Sequence, residues 1–285
     1  MHIFKSLFNS RSSVASRFAM LMVLATVLSG CTTSSALRSG PYKVPSARYA
    51  ALVINANSGK ILHSVRANAI RFPASLTKMM TMYLAFEAMS TGRMNKLTLI
   101  PISSRAARQP ASKLYLKAGQ SISVHKALEA IAVKSANDVA YAMAEFLSGS
   151  EAAFARRMTS KARSLGMAST TFRNASGLPD KRQVTTARDM AKLGIALRRR
   201  YPQYYHYFSK RSFSYHGRTI RGHNKVLGLM RGVDGIKTGY TRASGFNLVT
   251  SVRTRKGRII GVILGENSGR TRDRHMVQLI NKYAR

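Results

Sequence analysis

A single cysteine, ten acidic residues among 285 and no apolar run long enough to cross a bilayer bound what this chain can be. Cys31 is the lone thiol, so no disulfide can form within the chain. The apolar stretch near the start, residues 18–28, is too short to span a membrane. Seven histidines are scattered, with no His-Glu-x-x-His and no ligand pair at metal spacing, so neither a metal nor another cofactor is expected. Against the ten acids stand 47 Lys and Arg, a formal net charge of +37. Such a surplus points toward nucleic acid, and Tyr201, Tyr204, Tyr205 and Tyr207 would be the stacking platform. The basic residues are spread along the chain, however, with local runs at 198–200, 253–258 and 270–274. No helix-turn-helix, zinc finger or RNP-like pattern accompanies them. Binding to nucleic acid or to anionic envelope polymers is therefore the non-enzyme alternative, and no specific nucleic-acid partner is expected.

What is present is more specific. Ser75-Leu76-Thr77-Lys78, Ser135-Ala136-Asn137 and Lys237-Thr238-Gly239 occur in this order. Together they make an acyl-transfer site in which a serine attacks and a lysine takes its proton. Each alone is weak: a given tripeptide arises by chance in roughly one chain in thirty of this length. A second Ser-x-x-Lys, Ser123-Val124-His125-Lys126, is present as well. Context separates the two copies. Phe72-Pro73-Ala74 reads as extended, Ser75 is a good helix N-cap, and residues 76–89 are helix formers until Gly92. Lys78 would then lie one turn along the same face, with free N–H groups of the helix start aimed at a developing oxyanion. Ser123 has Gly119-Gln120 before it and Ser135 only 12 positions later, which leaves little room for such a helix.

An ordinary lysine holds its proton at neutral pH. Burial and a second cation nearby would lower that affinity, and Lys237 is the candidate cation. Two amines in one pocket titrate as a pair. Ser135 would relay the leaving-group proton, and the Asn137 amide would hold a substrate carbonyl. Gly239 would let substrate backbone approach closely.

These motifs and their surroundings resemble the serine-type D-alanyl-D-alanine carboxypeptidases, the low-molecular-mass penicillin-binding proteins. The similarity extends over Phe72-Pro-Ala-Ser-Leu-Thr-Lys-Met-Met-Thr81, Ser135-Ala-Asn-Asp-Val-Ala140 and Gly235-Ile-Lys-Thr-Gly-Tyr-Thr241. It continues in Leu165-Gly-Met167, Asn174-Ala-Ser-Gly-Leu178, Thr186-Ala-Arg-Asp-Met-Ala191 and Ser244-Gly-Phe-Asn-Leu-Val249. The resemblance implies removal of the terminal D-alanine from peptidoglycan stem pentapeptides through a Ser75 acyl-enzyme, with β-lactams as covalent inhibitors. It makes Ser75, Lys78 and Ser135 catalytic, and Asn137, Lys237, Thr238, Gly239 and Tyr240 substrate-binding. Backbone N–H groups of Ser75 and Tyr240 would form the oxyanion hole. Aligning Gly261-Val-Ile-Leu-Gly265 with the family's last strand makes Arg272, in the following loop, the grip on the substrate carboxylate. The enzyme alternatives are a D,D-endopeptidase and a β-lactamase-like hydrolase. Between the second and third motifs no acid has Asn four residues on, so the deacylating Glu-x-x-x-Asn of class A β-lactamases is missing.

Residues 1–30 read as a signal peptide, with Lys5, Arg11 and Arg17 ahead of the apolar stretch. Leu28-Ser29-Gly30-Cys31 resembles a lipobox, so Cys31 is the expected lipidation site and a membrane the expected anchor in the periplasm or envelope. Residues 31–47 read as a Ser/Gly/Pro-bearing tether and 48–285 as one catalytic domain. Many relatives continue into a second β-rich domain and an anchor helix, and an N-terminal lipid would replace that anchorage here. Loss of residues 1–30 leaves a charge of +34, that is 44 Lys and Arg minus ten acids.

The expected fold class is α+β. Strands are expected at 49–54, 60–63, 213–220, 246–252 and 258–264. Helices are expected at 75–89, 124–133, 138–147, 151–165, 186–200 and 271–284. The resemblance adds that the sheet is antiparallel and five-stranded, with an inserted helical subdomain, as in β-lactamases and transpeptidases.

Overall fold

The computed structural model describes residues 47–284, and strands from both ends of this stretch pair in one sheet. The expected signal segment, Cys31 and nearly all of the tether lie outside the described residues. The strands are β1 (Ala50–Asn55), β2 (Ile61–Val65), β3 (Leu99–Pro101), β4 (Ser121–Ser123), β5 (Ser212–Tyr215), β6 (Arg218–Arg221), β7 (Val233–Thr241), β8 (Gly245–Thr254) and β9 (Gly257–Glu266). The main sheet has five strands in the order β2-β1-β9-β8-β7, and all neighbours are antiparallel. Leu52 of β1 faces Val262 of β9, so the first strand lies inside the sheet beside the last.

Among the described residues, two four-residue helices apart, six helices complete the frame: α1 (Lys78–Ser90), α2 (Val124–Glu129), α3 (Asn137–Ser148), α4 (Glu151–Ser164), α5 (Ala187–Arg200) and α6 (Gly269–Tyr283). A Cβ on Gly194 of α5 would sit 3.5 Å from Ile260, while one on Gly261 would sit 3.2 Å from Ile280 of α6. Successive residues of a strand point to opposite faces, so α5 and α6 cover opposite faces of the sheet. Helix α1 is buried almost all round, from Lys78 through Phe86. A helix apolar on every side belongs in a core, and α1 is the core of the helical part. Ser150, Thr186 and Ser268 cap α4, α5 and α6, accepting from the N–H groups of Ala153, Asp189 and Thr271.

Four expectations need correction. The segment 213–220 forms a separate hairpin of β5 and β6, and the fifth sheet strand is β7. Its sequence, Val-Asp-Gly-Ile-Lys-Thr-Gly-Tyr-Thr, holds two glycines and two charges and gives no strand pattern. Pairing along β8 imposes the conformation instead, with Ile236 opposite Thr250 and Gly239 opposite Asn247.

Second, Ser75 is not an N-cap. Ala74–Thr77 form a 3₁₀ turn entered from Pro73, and α1 begins only at Lys78. Third, Ser123 is the N-cap, of α2, and accepts from Lys126 N. The helix expected at 124–133 is present as α2 and a following π turn, Ala130–Lys134, so Ser123 has room to cap it. Lys126 nevertheless turns its ammonium to Glu129 and the Ser214 carbonyl, so the second Ser-x-x-Lys is structural. Fourth, Arg272 lies on the first turn of α6, not in a loop.

The acids are largely committed inside the fold. Glu87 takes Arg157 and Lys161, Glu129 takes Lys126 and Lys210, and Asp234 takes Arg198 and Arg258. Asp138 accepts from the backbone N–H groups of Leu114, Leu116 and Val139. Spent in this way, they leave the basic excess to the surface. Among the described residues no helix is long and apolar enough to cross a membrane.

Candidate active site

The 3₁₀ turn carrying Ser75 packs against edge strand β7 at the place where β7 lacks a side chain. A Cβ on Gly239 would lie 3.0 Å from Ser75 N and 3.1 Å from Leu76 N, tighter than nearly all real contacts. On the other side Gly177, at φ +86°, presses so closely on Ala74 that a Cβ would meet its carbonyl oxygen. Ala74 itself is left-handed, at φ +48°. The serine is thus held on a strained turn between two glycines.

Lys78 follows one turn later and is fully buried. Its Nζ lies 3.4 Å from Ser75 Oγ, 2.7 Å from Asn137 Oδ1 and 2.5 Å from the Ser176 carbonyl. A neutral amine has two N–H bonds and one lone pair. The two carbonyl-type oxygens can only accept, so they take both N–H bonds, and the lone pair is left for the Ser75 hydroxyl. Burial pushes the Lys78 ammonium well below its ordinary value. The Lys237 cation adds to this, while Asp138 and Glu151 oppose it.

The second motif ends the π turn. Ser135 is left-handed at φ +61°, buried, and its Oγ has no hydrogen-bond partner among the described residues. Two residues on, Asn137 opens α3. Its Oδ1 receives Lys78, and its Nδ2 donates to the Pro110 carbonyl at 2.9 Å. The Asn137 amide expected to hold substrate is therefore mostly engaged with protein, with one N–H left over. Residues 110–112 brace this motif further: Asn137 N donates to Ser112 O, and Ser112 Oγ donates to Lys134 O.

From β7 come Lys237, buried, and Thr238, nearly so; Tyr240 is exposed and stacks on Phe246 at 4.2 Å. Among the described residues Lys237 Nζ donates only to Thr238 O, at 3.2 Å. Burial, and secondarily Arg272, push its ammonium down to about 7. The Lys237 cation thus helps to push Lys78 down, and Arg272 does the same to Lys237. Arg272 is buried, donates to Asp273 Oδ1 through Nε and Nη2, and reaches the Asn247 carbonyl. Arg270 and Arg274 are exposed on the other side of α6. A recess lined by Phe72, Pro73, Ala74, Gly177, Leu178 and Thr241 opens beside the serine turn.

Sequence reading missed the Ser176 carbonyl and the 110–112 brace. The first had a signal: Asn174 Oδ1 accepts from Gly177 N and Leu178 N, a turn that Asn-x-x-Gly announces. The second had none, because backbone carbonyls of an irregular loop leave no mark in residue type.

A half-buried serine beside a fully buried lysine, with a second buried lysine on an edge strand of this α+β frame, is an arrangement suited to serine acyl transfer. Comparison with known proteins agrees. The family model described as D-alanyl-D-alanine carboxypeptidase (Peptidase_S11) matches residues 41–268, and the chain belongs to that family. The D-alanyl-D-alanine carboxypeptidase DacA of Escherichia coli (strain K12) is 35% identical over 236 residues, covering 80% of this chain and 59% of the relative. The chain thus spans well under two thirds of that protein's length. The crystal structure of penicillin binding protein 5 from Haemophilus influenzae superposes with a TM-score of 0.80 at 30% identity, covering 86% of this chain and 72% of that one. Penicillin-Binding Protein D2 from Listeria monocytogenes, in its ampicillin-bound form, gives a TM-score of 0.76 at 30% identity, over 85% of this chain and 98% of that one.

Proposed function

We propose that this protein is a serine-type D-alanyl-D-alanine carboxypeptidase acting on peptidoglycan stem peptides. The observation that carries the reading is the hydrogen-bonding of Lys78 Nζ, which turns its free lone pair toward Ser75 Oγ.

In this reading Lys78 takes the Ser75 proton as Oγ attacks the carbonyl carbon of the penultimate D-alanine. The tetrahedral oxyanion lies against the N–H groups of Ser75 and Tyr240, beside the bare Cα of Gly239. When the C–N bond breaks, the leaving nitrogen of the terminal D-alanine gains a proton from Lys78 through Ser135. Ser135 Oγ, which has no hydrogen-bond partner among the described residues, can serve both sides of that relay. Water then attacks the ester carbonyl, giving up its proton to the same base and restoring Ser75. Lys237, Thr238 and Arg272 receive the terminal carboxylate. Arg272 already spends Nε and one Nη2 hydrogen on Asp273 and one Nη1 hydrogen on the Asn247 carbonyl, so one hydrogen on each terminal nitrogen is left for the substrate. Asn137 chiefly orients the base and offers substrate one N–H.

A β-lactam would enter the same route and stop at the ester; the similar Penicillin-Binding Protein D2 is known in an ampicillin-bound form. Export through residues 1–30, lipidation at Cys31 and membrane attachment complete the proposal, all resting on sequence alone. The test is release of D-alanine from a peptide ending in D-Ala-D-Ala by wild type and by Ser75→Ala. Release by wild type and none by the variant supports the reading; equal release contradicts it.

A further inference from the structure

Glu151 is the first residue of α4, and it is an acid turned inward beneath the site. Its Oε1 accepts from Ala175 N at 3.0 Å. The two carbonyls that follow on this strip of backbone both receive side chains of α1. Ala175 O accepts from Thr81 Oγ1 at 2.6 Å, and Ser176 O accepts from Lys78 Nζ at 2.5 Å. One turn of α1 separates Lys78 from Thr81, so the helix and the strip are joined at two points in register. Glu151 fixes the third.

Without Glu151, the Ala175 N–H would be left beside α4 with no acceptor, and this link between the strip and the start of α4 would be lost. We propose that Glu151 is a positioning residue for the Ser75–Lys78 chemistry, clamping the Ala175–Ser176 backbone so that the Ser176 carbonyl holds one N–H of Lys78 and leaves its lone pair toward Ser75. The proposal rests on the acyl-transfer reading of the site.

The carboxylate also acts through space. The charged groups that face Lys78 are Lys237 from β7, Asp138 from α3 and Glu151 from α4. Glu151 is faced by Lys78 and by Glu145 near the end of α3. Tyr141 of α3 lies by the two glutamates and by Arg105. Burial and Glu145 push the Glu151 carboxyl upward, while the Ala175 N–H and Lys78 hold it down. Ionised Glu151 thereby raises the proton affinity of Lys78 and sets where on the pH scale the base becomes available.

Two substitutions separate the clamp from the charge, tested in the full chain. Glu151→Gln keeps an oxygen for Ala175 N–H and loses the charge; Glu151→Ala loses both. Second-order rates of acylation by benzylpenicillin are measured against pH, corrected for the folded fraction. The Lys78 side chain is titrated in parallel by NMR of ¹³Cε-lysine protein, assigned with Lys78→Arg.

Glu151→Ala should slow acylation by about tenfold to a hundredfold, the cost of misplacing a reacting group. Glu151→Gln should recover most of the plateau rate, with both its acidic limb and the Lys78 titration moved to lower pH. A residue that merely stabilised α4 would lower the melting temperature and leave the per-molecule rate and the Lys78 midpoint unchanged. That result in the Gln variant would overturn the proposal, even if Glu151→Ala fails to fold. The NMR midpoint does not depend on turnover. If wild type proves unreactive, the acyl-transfer reading fails while the Lys78 titration still decides whether Glu151 tunes that amine.

Discussion

Lys78 Nζ meets Asn137 Oδ1 at 2.7 Å, two residues 59 apart in sequence, inside a core that excludes water. The contact joins the first and second motifs into one site and fixes which face of the amine points to Ser75. An Asn137→Ala variant leaves the amine one acceptor short. Acylation should fall by about tenfold or more, while Asn137→Asp should raise the proton affinity of Lys78 through its charge and move the acidic limb to higher pH. Acylation rates across pH check both; an Asp variant with an unmoved limb would contradict the coupling.

The two other cations give a pair of opposite-limb predictions. In the proposed mechanism Lys78 must be neutral to act, so the rate should rise with pH as it loses its proton. Lys237→Ala removes a cation that lowers that affinity. The rise should therefore move to higher pH. Arg272 depresses Lys237, whose ammonium is held to about 7. If charged Lys237 receives the substrate carboxylate, Arg272→Ala should carry the basic-side decline upward from there. The kcat/KM profile for a D-Ala-D-Ala peptide reads both limbs.

Arg272→Ala should also cut hydrolysis of the free-carboxylate peptide far more than that of its amide, because a charge-assisted fork is lost. Losing such a contact costs about 2–5 kcal/mol. Asp273 is left without its fork in either assay, so the ratio between substrates isolates the carboxylate effect. Arg270→Ala and Arg274→Ala, on the exposed side of α6, should leave the ratio unchanged.

Burying an amine for function costs stability. The folded value of Lys237 is lowered to about 7, against about 10.4 for an unfolded lysine. Between these values the unfolded chain binds more protons, so unfolding free energy should rise with pH from about 7 toward 10.4. Below that window the burial penalty is felt in full. Lys237→Met should flatten part of this rise and stabilise the protein at pH 7 by on the order of 1–2 kcal/mol, while abolishing carboxylate selectivity. Urea unfolding at several pH values checks it.

The sequence showed three motifs and most helices because each rests on local chemistry. Thr186 before α5 and Ser150 before α4 are caps wherever they occur, and both boundaries were legible. Strand β7 was not, because its conformation is imposed by β8 and its own residues are chosen for the site. The Ser75 turn was misread for a related reason: Pro73 and left-handed Ala74 are held by Gly177 and Gly239, residues 102 and 164 positions away from Ser75. Strain of that kind is supplied by tertiary packing and cannot be read from the residues that bear it.

Cys31 lies outside the described residues, and its lipidation is tested chemically. Wild type expressed with its leader should partition into detergent, and Cys31→Ala should accumulate as unlipidated precursor. A mature wild-type N-terminus beyond Cys31 would contradict lipid anchoring.

The central claim is that Ser75, activated by Lys78, is the nucleophile. Intact-mass measurement after incubation with benzylpenicillin, followed by peptide mapping, tests it most directly. The account predicts one penicilloyl adduct, on the peptide containing Ser75, absent in Ser75→Ala and nearly absent in Lys78→Arg. An adduct on Ser123, or none on a folded wild-type protein, would contradict it.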